Sequence, residues 1–431
     1  MSRDDDDENN TIRVPVIAWI LLIAGVFRVT AVAFLFENLQ VDRDAYLAIA
    51  QNLLDGNGYC STVNQPTAFR PPLYPLLVAS CIHLGGFVLL GAAQVVLGTA
   101  TVWLTWLLAI RCRLSRRTAA IAATLVAADP LLVQYTAQAM TETLATFLVT
   151  MMLVATLSSG KEIAKGGVVG VLFGLAALCR PSIWAFGTLA GAVWVVETLR
   201  TRSSNGAFSP RVSSRHAKTG AMCIFAVAIT VSPWAIRNSV VFDRPILMTT
   251  HGGYTLMLGN NETFFNEVVS GDATWSASSL SDWQSEDERH LSGVGIAETD
   301  EVSRDVERSR MAKQWILSNP AKFIQTSLLR FQRFWALGPS VSTDVPSWLI
   351  QCIRSYYLCT FALAMIGLVR CRGIWLAHWT VPTAVLALTL VHSVYWSNAR
   401  MRSVIVPVIS LATAAAFQRS SNPKGLSNGV E

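Results

Sequence analysis

The sequence predicts an all-α membrane protein that crosses the bilayer about ten times. Its 431 residues are 52% hydrophobic and only 14% charged, whereas a soluble globular domain carries roughly 25% charged residues. The apolar residues occur in successive runs of the length that crosses about 30 Å of hydrocarbon. Arginines collect in the short connections between these runs, which is the positive-inside pattern. Membrane topology therefore explains the net charge of +6, and no nucleic-acid partner is expected.

Ten apolar runs are the candidate spans. In chain order they are Val14–Phe36, Val88–Ile110, Thr118–Val133, Thr143–Leu157, Gly167–Leu178, Ile183–Leu199, Ala221–Ile236, Trp348–Val369, Ile374–Tyr395 and Ser403–Phe417. The first run follows an acidic segment, Asp4–Glu8, where a secretory signal would be basic. We therefore expect it to remain in the protein as a helix.

Leu73–Gly86 is apolar but short, and prolines precede it, so we expect it to lie in the outer interface as a helix. With the N-terminus inside, this choice places every short basic connection in the cytoplasm, as the positive-inside rule requires. Counting Leu73–Gly86 as a span would reverse most of these connections. Both termini are then cytoplasmic, and the membrane is expected to be the plasma (inner) membrane.

These considerations divide the chain into five parts. They are a cytoplasmic acidic N-terminus (1–13), an N-terminal transmembrane module (14–236) with a first extracytoplasmic loop (37–72), an extracytoplasmic cap (237–346), C-terminal transmembrane helices (347–418) and a cytoplasmic tail (419–431). The cap contains a predicted glycine turn at His251–Gly253 and an acidic, serine-rich piece. Two amphipathic helices follow, one ending at Asn319-Pro320 and one from Phe323 to Trp335, of the kind that lies on a membrane surface.

The first loop is the most specified part of the chain. Asp42 and Asp44 precede an amphipathic helix in which Tyr46 and Ile49 recur at helical spacing, and Gly56 and Gly58 are expected to end it. The run Thr67–Pro75 then begins another helix, because proline is tolerated in a first turn. A simple connection between two spans would not need this many special residues.

The acids of the outer face are the candidate bases. Acids are favoured in the first turn of a helix, and this structural explanation suits Asp44 better than Asp42, which could point away from the helix. As a functional group, Asp42 could take the proton from an acceptor hydroxyl. Glu142 lies at the outer end of a span, where an acid is costly; the alternative is a carboxylate that pairs with a neighbouring arginine.

Arginines on the outer face oppose the positive-inside tendency. Arg70, Arg237, Arg400 and Arg402 all fall there, and each could form an ion pair with one of the outer acids. Alternatively, guanidinium groups can hold a phosphate bidentately, and at a membrane surface that phosphate belongs to a lipid. The sequence contains no CxxC, no Cys/His cluster with zinc spacing and no glycine-rich nucleotide loop.

Several ordered motifs resemble the GT-C superfamily of glycosyltransferases, of the protein O-mannosyltransferase and aminoarabinose–lipid A transferase type. They include Asp42…Tyr46, Arg70-Pro71-Pro72-Leu73-Tyr74-Pro75, Thr141-Glu142, Arg180-Pro181, Pro233-Trp234-Ala235-Ile236-Arg237-Asn238, Gly252-Gly253 and Arg400…Pro407. The resemblance implies a GT-C-type fold and transfer of a sugar from a polyprenyl-phosphate donor, with inversion, on the extracytoplasmic face. Membrane lipids and an acceptor of unknown identity are the other expected partners.

The resemblance also implies roles for individual residues. Asp42 corresponds to the essential first-loop aspartate of the family and Glu142 to a second acid, with Asp44 beside them. Arg70 and Arg400 correspond to basic residues that contact the donor phosphate. Three further substrate or phosphate contacts are expected from the same motifs and the outer-face position, namely Tyr74, Arg237 and Arg402.

Two departures from the family pattern limit what it implies. The aminoarabinose enzymes have an acid where this chain has Phe69, which puts an amino-sugar donor and their metal arrangement in question. The large lumenal domain of the protein mannosyltransferases is also missing. A divalent cation (Mg²⁺, Mn²⁺ or Zn²⁺) could lie between Asp42 and Glu142, since hard cations take carboxylates, but no ligand cluster requires one.

Two other function classes remain. A transporter or lipid flippase would need charges in mid-membrane and broken helices paired between two halves, whereas these acids lie at the outer boundary and no internal symmetry is visible. The other is a non-catalytic scaffold or a polysaccharide-ligase-like protein. Consumption of a polyprenyl-phosphate sugar separates the transferase from both.

Overall fold

A computed structural model describes residues 14–204, 210–270, 277–338 and 345–419, and these residues are almost entirely helical. The predicted all-α class is therefore confirmed. The acidic N-terminus and the tail beyond residue 419 lie outside the described residues.

The N-terminal part of the fold consists of two long helices and the folded first loop that connects them. Its elements are α1 (Val14–Phe34), a 3-10 helix (Phe36–Gln40), α2 (Tyr46–Leu54), β1 (Cys60–Thr62), β2 (Gln65–Pro66) and α3 (Leu73–Arg111). The two short strands pair antiparallel, with Cys60 opposite Pro66 and Thr62 opposite Gln65. The loop is thus a small folded unit rather than an open connection.

The predicted first-loop helix is α2, and it ends where expected. It buries Tyr46, Ile49 and Ala50, the face that the periodicity indicated. Gly56 and Gly58 have φ angles of 79° and 80°, in the left-handed region that glycine adopts without a Cβ clash. The chain can therefore turn directly into β1.

Helix α3 is broken at Gly85-Gly86. Gly86 has φ 67° and ψ −162°, a conformation that continues no helix. Pro75 lies in the first turn of α3, where a missing N–H costs nothing. The predicted boundary between Leu73–Gly86 and the following span is therefore the place where the helix changes direction.

Six helices follow and complete the N-terminal module. They are α4 (Arg116–Ala128), α5 (Pro130–Thr136), α6 (Glu142–Thr156), α7 (Glu162–Cys179), α8 (Ile183–Ser204) and α9 (Pro210–Phe242). α4 and α5 meet at an angle of 51°. The Asp129 carboxylate accepts from the Leu132 backbone N–H at 3.0 Å, so Asp129 caps the start of α5.

A buried arginine closes this bend. Arg28 on α1 is 0% exposed and donates to the carbonyl oxygens of Val126 and Ala127 at 3.1 and 3.3 Å. Both carbonyls lie in the last turn of α4, where the helix itself provides no N–H partner. The intramembrane charge of Arg28 therefore satisfies the backbone of a broken helix.

Three glycines allow α7 to pack directly on α9. A Cβ at Gly166 or Gly170 would lie 2.4 or 2.3 Å from the carbonyl oxygens of Thr219 and Cys223, and one at Gly174 would lie 2.7 Å from Thr230. Small residues four apart permit this approach between membrane helices. The contact holds the carboxyl end of α7, and the arginine that follows it, against the rest of the module.

The cap region contains five further helices. They are α10 (Gly252–Gly259), α11 (Glu262–Phe264), α12 (Ala277–Gly293), α13 (Glu301–Ser318) and α14 (Pro320–Phe334), with a π-helical turn at Phe265–Val269. The two predicted amphipathic helices are α13 and α14.

The predicted glycine turn at His251–Gly253 is wrong, because these glycines begin α10. The Asp305 carboxylate of α13 accepts from the backbone N–H groups of Gly253 and Tyr254, at 2.7 and 3.2 Å. A Cβ at Gly253 would lie 1.9 Å from the Asp305 carbonyl oxygen. Glycine is therefore needed for close approach of two helices and not for a turn.

The chain ends with four helices that return to the core. They are α15 (Ser347–Arg370), α16 (Arg372–Ala377), α17 (Thr380–Val394) and α18 (Val406–Ala415), with a 3-10 helix (Ala399–Ile405) before α18. α18 is fully buried and packs against α3, α4 and α15. The C-terminal helices therefore belong to the same core as the N-terminal module.

Each of the ten predicted apolar runs coincides with one helix or with two consecutive elements. Among the described residues, five helices are long and apolar enough to cross a membrane, or six if α4 and α5 form one span. Three shorter apolar helices are Glu142–Thr156, Ile183–Glu197 and Thr380–Val394. The count of about ten spans therefore stays a prediction.

Candidate functional site

Five charged side chains from five separate segments meet at one end of the helical core. We call them the charge cluster. Its members are Asp44 from the turn before α2, Arg70 from the loop before α3, Glu142 at the start of α6, Arg180 after α7, and Arg400 in the 3-10 helix before α18. Each lies at the end of a helix or in a loop, so backbone geometry and not helical periodicity brings them together.

Asp44 lies between two arginines. Arg70 Nη2 contacts Asp44 Oδ1 at 3.1 Å, and Arg400 Nη1 contacts Asp44 Oδ2 at 3.0 Å. Arg70 Nε also donates to the Asp44 carbonyl oxygen at 2.8 Å. Both carboxylate oxygens of Asp44 are thus occupied by guanidinium groups, which fix the orientations of Arg70 and Arg400.

Glu142 is the buried centre of the cluster. Its side chain is 1% exposed, and its Oε1 atom lies 3.4 Å from Arg180 Nη1 and 3.3 Å from Arg400 Nε. The second oxygen, Oε2, is buried and has no hydrogen-bond partner among the described side and main chains. The expected pairing of Glu142 with a neighbouring arginine therefore occurs twice, and one acceptor remains unused.

The charge cluster carries a formal charge of +1, since three arginines face two carboxylates. Burial alone would lower the pKa of Arg400, but the carboxylates of Glu142 and Asp44 raise it above the ordinary arginine value. The Arg400 guanidinium is therefore cationic at any physiological pH. Such a cluster attracts an anion, and planar guanidinium groups match the geometry of a phosphate.

The same cluster does not fit a divalent cation. Three of the four carboxylate oxygens of Asp44 and Glu142 already contact a guanidinium group, so these two acids cannot chelate an ion between them. A cation between Asp42 and Glu142 stays a prediction. No group of three or more His, Cys, Asp or Glu side chains with metal-binding geometry occurs in the described ranges. A cation here would also face the repulsion of three arginines.

The roles expected for Asp42 and Asp44 within the helix are reversed. Asp42 Oδ2 accepts from the backbone N–H of Ala48 at 2.9 Å, so Asp42 holds the first turn of α2, and Asp44 faces the arginines. The reason is that Ala45 adopts a left-handed conformation with φ 62°, which turns the chain between Asp44 and α2. Asp42 is nevertheless exposed, and two residues place its Cα within about 7 Å of that of Asp44.

Tyr74 lies beside the cluster. Its ring packs edge-on against Tyr46 at 5.2 Å, and the Arg70 guanidinium lies 5.4 Å from the Tyr46 ring centre. The Tyr74 hydroxyl is buried without a hydrogen-bond partner among the described residues. Tyr74 therefore carries a buried polar atom without a described partner next to Tyr46, and its role as a substrate contact stays a prediction.

Arg237 and Arg402 are positioned for the fold and not in the cluster. Arg237 donates to the carbonyl oxygens of Thr67 and Tyr59 at 2.8 and 2.9 Å. Arg402 is 1% exposed and donates to the carbonyl oxygens of Phe334 and Ala336 at 2.8 and 2.9 Å. Their guanidinium groups satisfy backbone carbonyls, so the expected phosphate contacts of these two residues are not part of the arrangement.

Arg180 is the cluster member that we did not predict as a site residue. It lies in the outer-face motif Arg180-Pro181 and, like Arg70 and Arg400, opposes the positive-inside tendency. That criterion alone would have selected it. Glu301, which contacts the first loop from the cap region, gave no signal in the sequence, because it is one acid in an acidic stretch.

Comparisons with known proteins found similar folds among solved structures. No protein-family model matches the chain, and no curated protein matches it either. Two solved structures of the Archaeoglobus fulgidus oligosaccharyltransferase are similar to this chain. One, AglB in complex with an inhibitory peptide and a dolichol-phosphate, has 13% identity and a TM-score of 0.51, and the apo form has 14% identity and a TM-score of 0.50.

The matches differ in how much of each chain they include. Both Archaeoglobus structures cover 93% of this chain, which spans only 50% of their length. ArnT from Cupriavidus metallidurans bound to undecaprenyl phosphate is aligned over 93% of this chain and 78% of its own, with 14% identity and a TM-score of 0.44. The chain is a multi-pass membrane protein, and its fold is similar to that of the Archaeoglobus oligosaccharyltransferase.

Proposed function

We propose that this protein is an inverting glycosyltransferase that moves a sugar from a polyprenyl-phosphate donor to an acceptor hydroxyl on the extracytoplasmic face of the inner membrane. The observation that carries the proposal is the charge cluster, with its three arginines, two carboxylates and net positive charge. A lipid phosphate is the anion that a membrane surface supplies to such a site. The Archaeoglobus protein, which has a similar fold, was solved in complex with an inhibitory peptide and a dolichol-phosphate.

In this proposal the arginines hold the donor phosphate and stabilise its departure. Arg70 and Arg400 are the two that contact Asp44 and are partly exposed, with side-chain exposures of 15% and 21%. As the bond between C1 of the sugar and the phosphate oxygen breaks, its electron pair moves to the phosphate, and negative charge grows beside these guanidinium groups. Interactions that strengthen in this way lower the barrier, and a lipid phosphate neutralised like this leaves without a general acid.

The acids have different tasks. Asp44 and Glu142 pair with arginines and orient them. The one carboxylate oxygen of these two acids that has no partner, Glu142 Oε2, is buried, so neither acid is placed to meet an acceptor that arrives from solvent. Asp42 is exposed and, among the described residues, accepts only from Ala48 N–H, through Oδ2. We assign it as the base that takes the proton of the acceptor hydroxyl, while the acceptor oxygen attacks C1 from the side opposite the phosphate and inverts the anomeric centre.

The proposal also includes a membrane topology. Both termini are cytoplasmic, residues 14–236 and 347–418 form the membrane part, and residues 237–346 cover the outer face. The sugar and the acceptor, whether lipid, glycan or protein, are to be found by experiment.

The test is a comparison of surface glycolipids and glycans by mass spectrometry. The strains are the native one, a deletion, and the deletion carrying wild-type protein or Asp42→Asn. We expect a sugar that is missing from the deletion and is restored by wild type but not by Asp42→Asn. In purified protein, Asp42→Asn should lower transfer by at least about a hundredfold, since general base catalysis contributes roughly 10²–10⁴.

Two results would contradict the proposal. Full activity of Asp42→Asn would remove Asp42 from the role of base. An unchanged glycan profile in all strains, together with no consumption of polyprenyl-phosphate sugars by purified protein, would favour a transporter or lipid flippase. Uptake or flipping assays in vesicles then become the next measurement.

A further inference from the structure

We propose that Glu301, the first residue of α13, is a positioning residue that joins the cap region to the first loop and thereby fixes Arg70 in the charge cluster. This inference rests on the proposed function only for its kinetic consequence. The contacts themselves are structural and can be tested without any substrate.

The carboxylate of Glu301 receives three hydrogen bonds from two distant segments. Its Oε1 atom accepts from the Ala68 backbone N–H at 2.6 Å and from the Thr250 hydroxyl at 2.9 Å, and its Oε2 atom accepts from the Thr67 hydroxyl at 2.9 Å. Thr250 N–H also donates to the Ala68 carbonyl oxygen at 3.1 Å. We call this set of residues the loop junction.

Thr67 is held at its hydroxyl, at its carbonyl oxygen and at its backbone N–H, which donates to the Tyr59 carbonyl oxygen at 3.1 Å. The Glu301 carboxylate accepts a hydrogen bond from the Thr67 hydroxyl, and Arg237 Nη1 donates to the Thr67 carbonyl oxygen at 2.8 Å. The same hydroxyl oxygen accepts from the Phe69 N–H at 2.9 Å. A hydrogen bond to a charged group is stronger than a neutral one, so these two ions, one from α9 and one from α13, determine the path of the chain at Thr67.

The path at Thr67 determines where Arg70 lies. Ala68 is fully buried, and the Phe69 ring packs edge-on against His251, with 4.2 Å between ring centres. The Tyr59 hydroxyl donates to the Arg70 carbonyl oxygen at 2.9 Å. Every residue from 67 to 70 therefore has a fixed contact, and the guanidinium of Arg70 extends from this fixed segment to Asp44.

Hydrogen exchange measures the loop junction directly. The full-length protein in detergent is compared as wild type, Glu301→Ala, Glu301→Gln and Glu298→Ala, where Glu298 is an exposed acid three residues earlier. We expect the Ala68 amide to exchange at least about tenfold faster in Glu301→Ala, the effect of losing a charge-assisted hydrogen bond. Glu301→Gln keeps one acceptor and should give an intermediate rate, and Glu298→Ala should match wild type. An unchanged exchange rate of the Ala68 amide in Glu301→Ala would show that the loop junction does not hold the first loop, and would refute the proposal.

Kinetics with a donor identified under the proposed function test the positioning role. We expect kcat/KM to fall about 10- to 100-fold in Glu301→Ala, the range for losing one charge-assisted contact in the transition state, and to recover partly in Glu301→Gln. Faster exchange at Ala68 with unchanged kcat/KM would mean that Glu301 supports the loop only, and would refute the positioning role. If wild type transfers no sugar, the proposed function fails, while the exchange result still decides whether the junction exists.

Discussion

Removing the negative charge of Glu142 is the most direct test of the charge cluster. Glu142 is 1% exposed, and Arg180 and Arg400 lie 3.4 and 3.3 Å from the same carboxylate oxygen. Glu142→Gln keeps the size of the side chain and one acceptor oxygen, but it leaves Arg180 without an ion pair in the cluster. The formal charge of the cluster rises from +1 to +2.

The size of the effect follows from two opposing contributions. At an effective dielectric constant of about 20, two unit charges at these distances attract by about 5 kcal/mol. Burial of each ion costs several kcal/mol, so the net contribution of the ions is small. Removal of one partner nevertheless costs about 3–5 kcal/mol, because the other charge stays buried and unpaired. We expect the low end of this range, since glutamine still accepts a hydrogen bond.

The assay is thermal unfolding in detergent, with apparent melting temperatures. A loss of about 3 kcal/mol should lower the apparent Tm by about 3 °C, because an unfolding entropy of about 2.1 cal/mol/K per residue amounts to about 0.9 kcal/mol/K for 431 residues. Glu37→Gln, the same change at an exposed position, is the matched control and should leave it unchanged. Arg180→Gln and the double variant complete a cycle, and the double variant should be less destabilised than the sum of the single variants. An apparent Tm for Glu142→Gln within about 2 °C of wild type, with additive single effects, would refute the buried charge network.

Two further predictions concern residues outside the cluster. Arg402→Met should lower the apparent Tm, because the carbonyl oxygens of Phe334 and Ala336 lose their hydrogen-bond donor at a cost of about 1–3 kcal/mol. The KM of the folded enzyme for the sugar donor should not change. A raised KM with normal stability would instead indicate that Arg402 contacts the donor phosphate. Burial and the charges of Arg70, Arg308 and Arg400 hold the pKa of His251 well below its ordinary value. Below about pH 6.5 the unfolded chain therefore takes up a proton that the native state does not, so stability should fall as the pH drops from about 6.5. His251→Phe should reduce the dependence of the apparent Tm on pH. The same dependence in the variant and in wild type would exclude His251 as its source.

Much of the fold could be predicted because each signal is local. The apolar runs, the glycines after α2 and the proline at the start of α5 act within a few residues of their own positions, and the described helices confirm them. The His251–Gly253 turn was wrong because the requirement for glycine comes from Asp305, about fifty residues away, whose backbone lies against Gly253. A glycine imposed by a distant helix is indistinguishable, in sequence, from one imposed by a turn.

The site was predictable as a set of residues on one face but not as an arrangement. Charge statistics selected Arg70, Arg237, Arg400 and Arg402 together, and nothing local distinguishes an arginine that contacts Asp44 from one that satisfies carbonyl oxygens at a helix end. That difference depends on which backbone groups lie within about 3 Å of each guanidinium.

The sequence by itself determined that this is a helical membrane protein with acids and arginines near the ends of its apolar segments, because hydrophobicity and charge are properties of segments. The tertiary structure decided which acids and arginines meet. It exchanged the orientations of Asp42 and Asp44 through the left-handed Ala45, added Arg180 to the cluster, and brought Glu301 to the first loop across more than 230 residues. Charges at such separations interact only after the chain has folded, since Coulomb attraction and hydrogen bonding act over distance in space and not along the sequence.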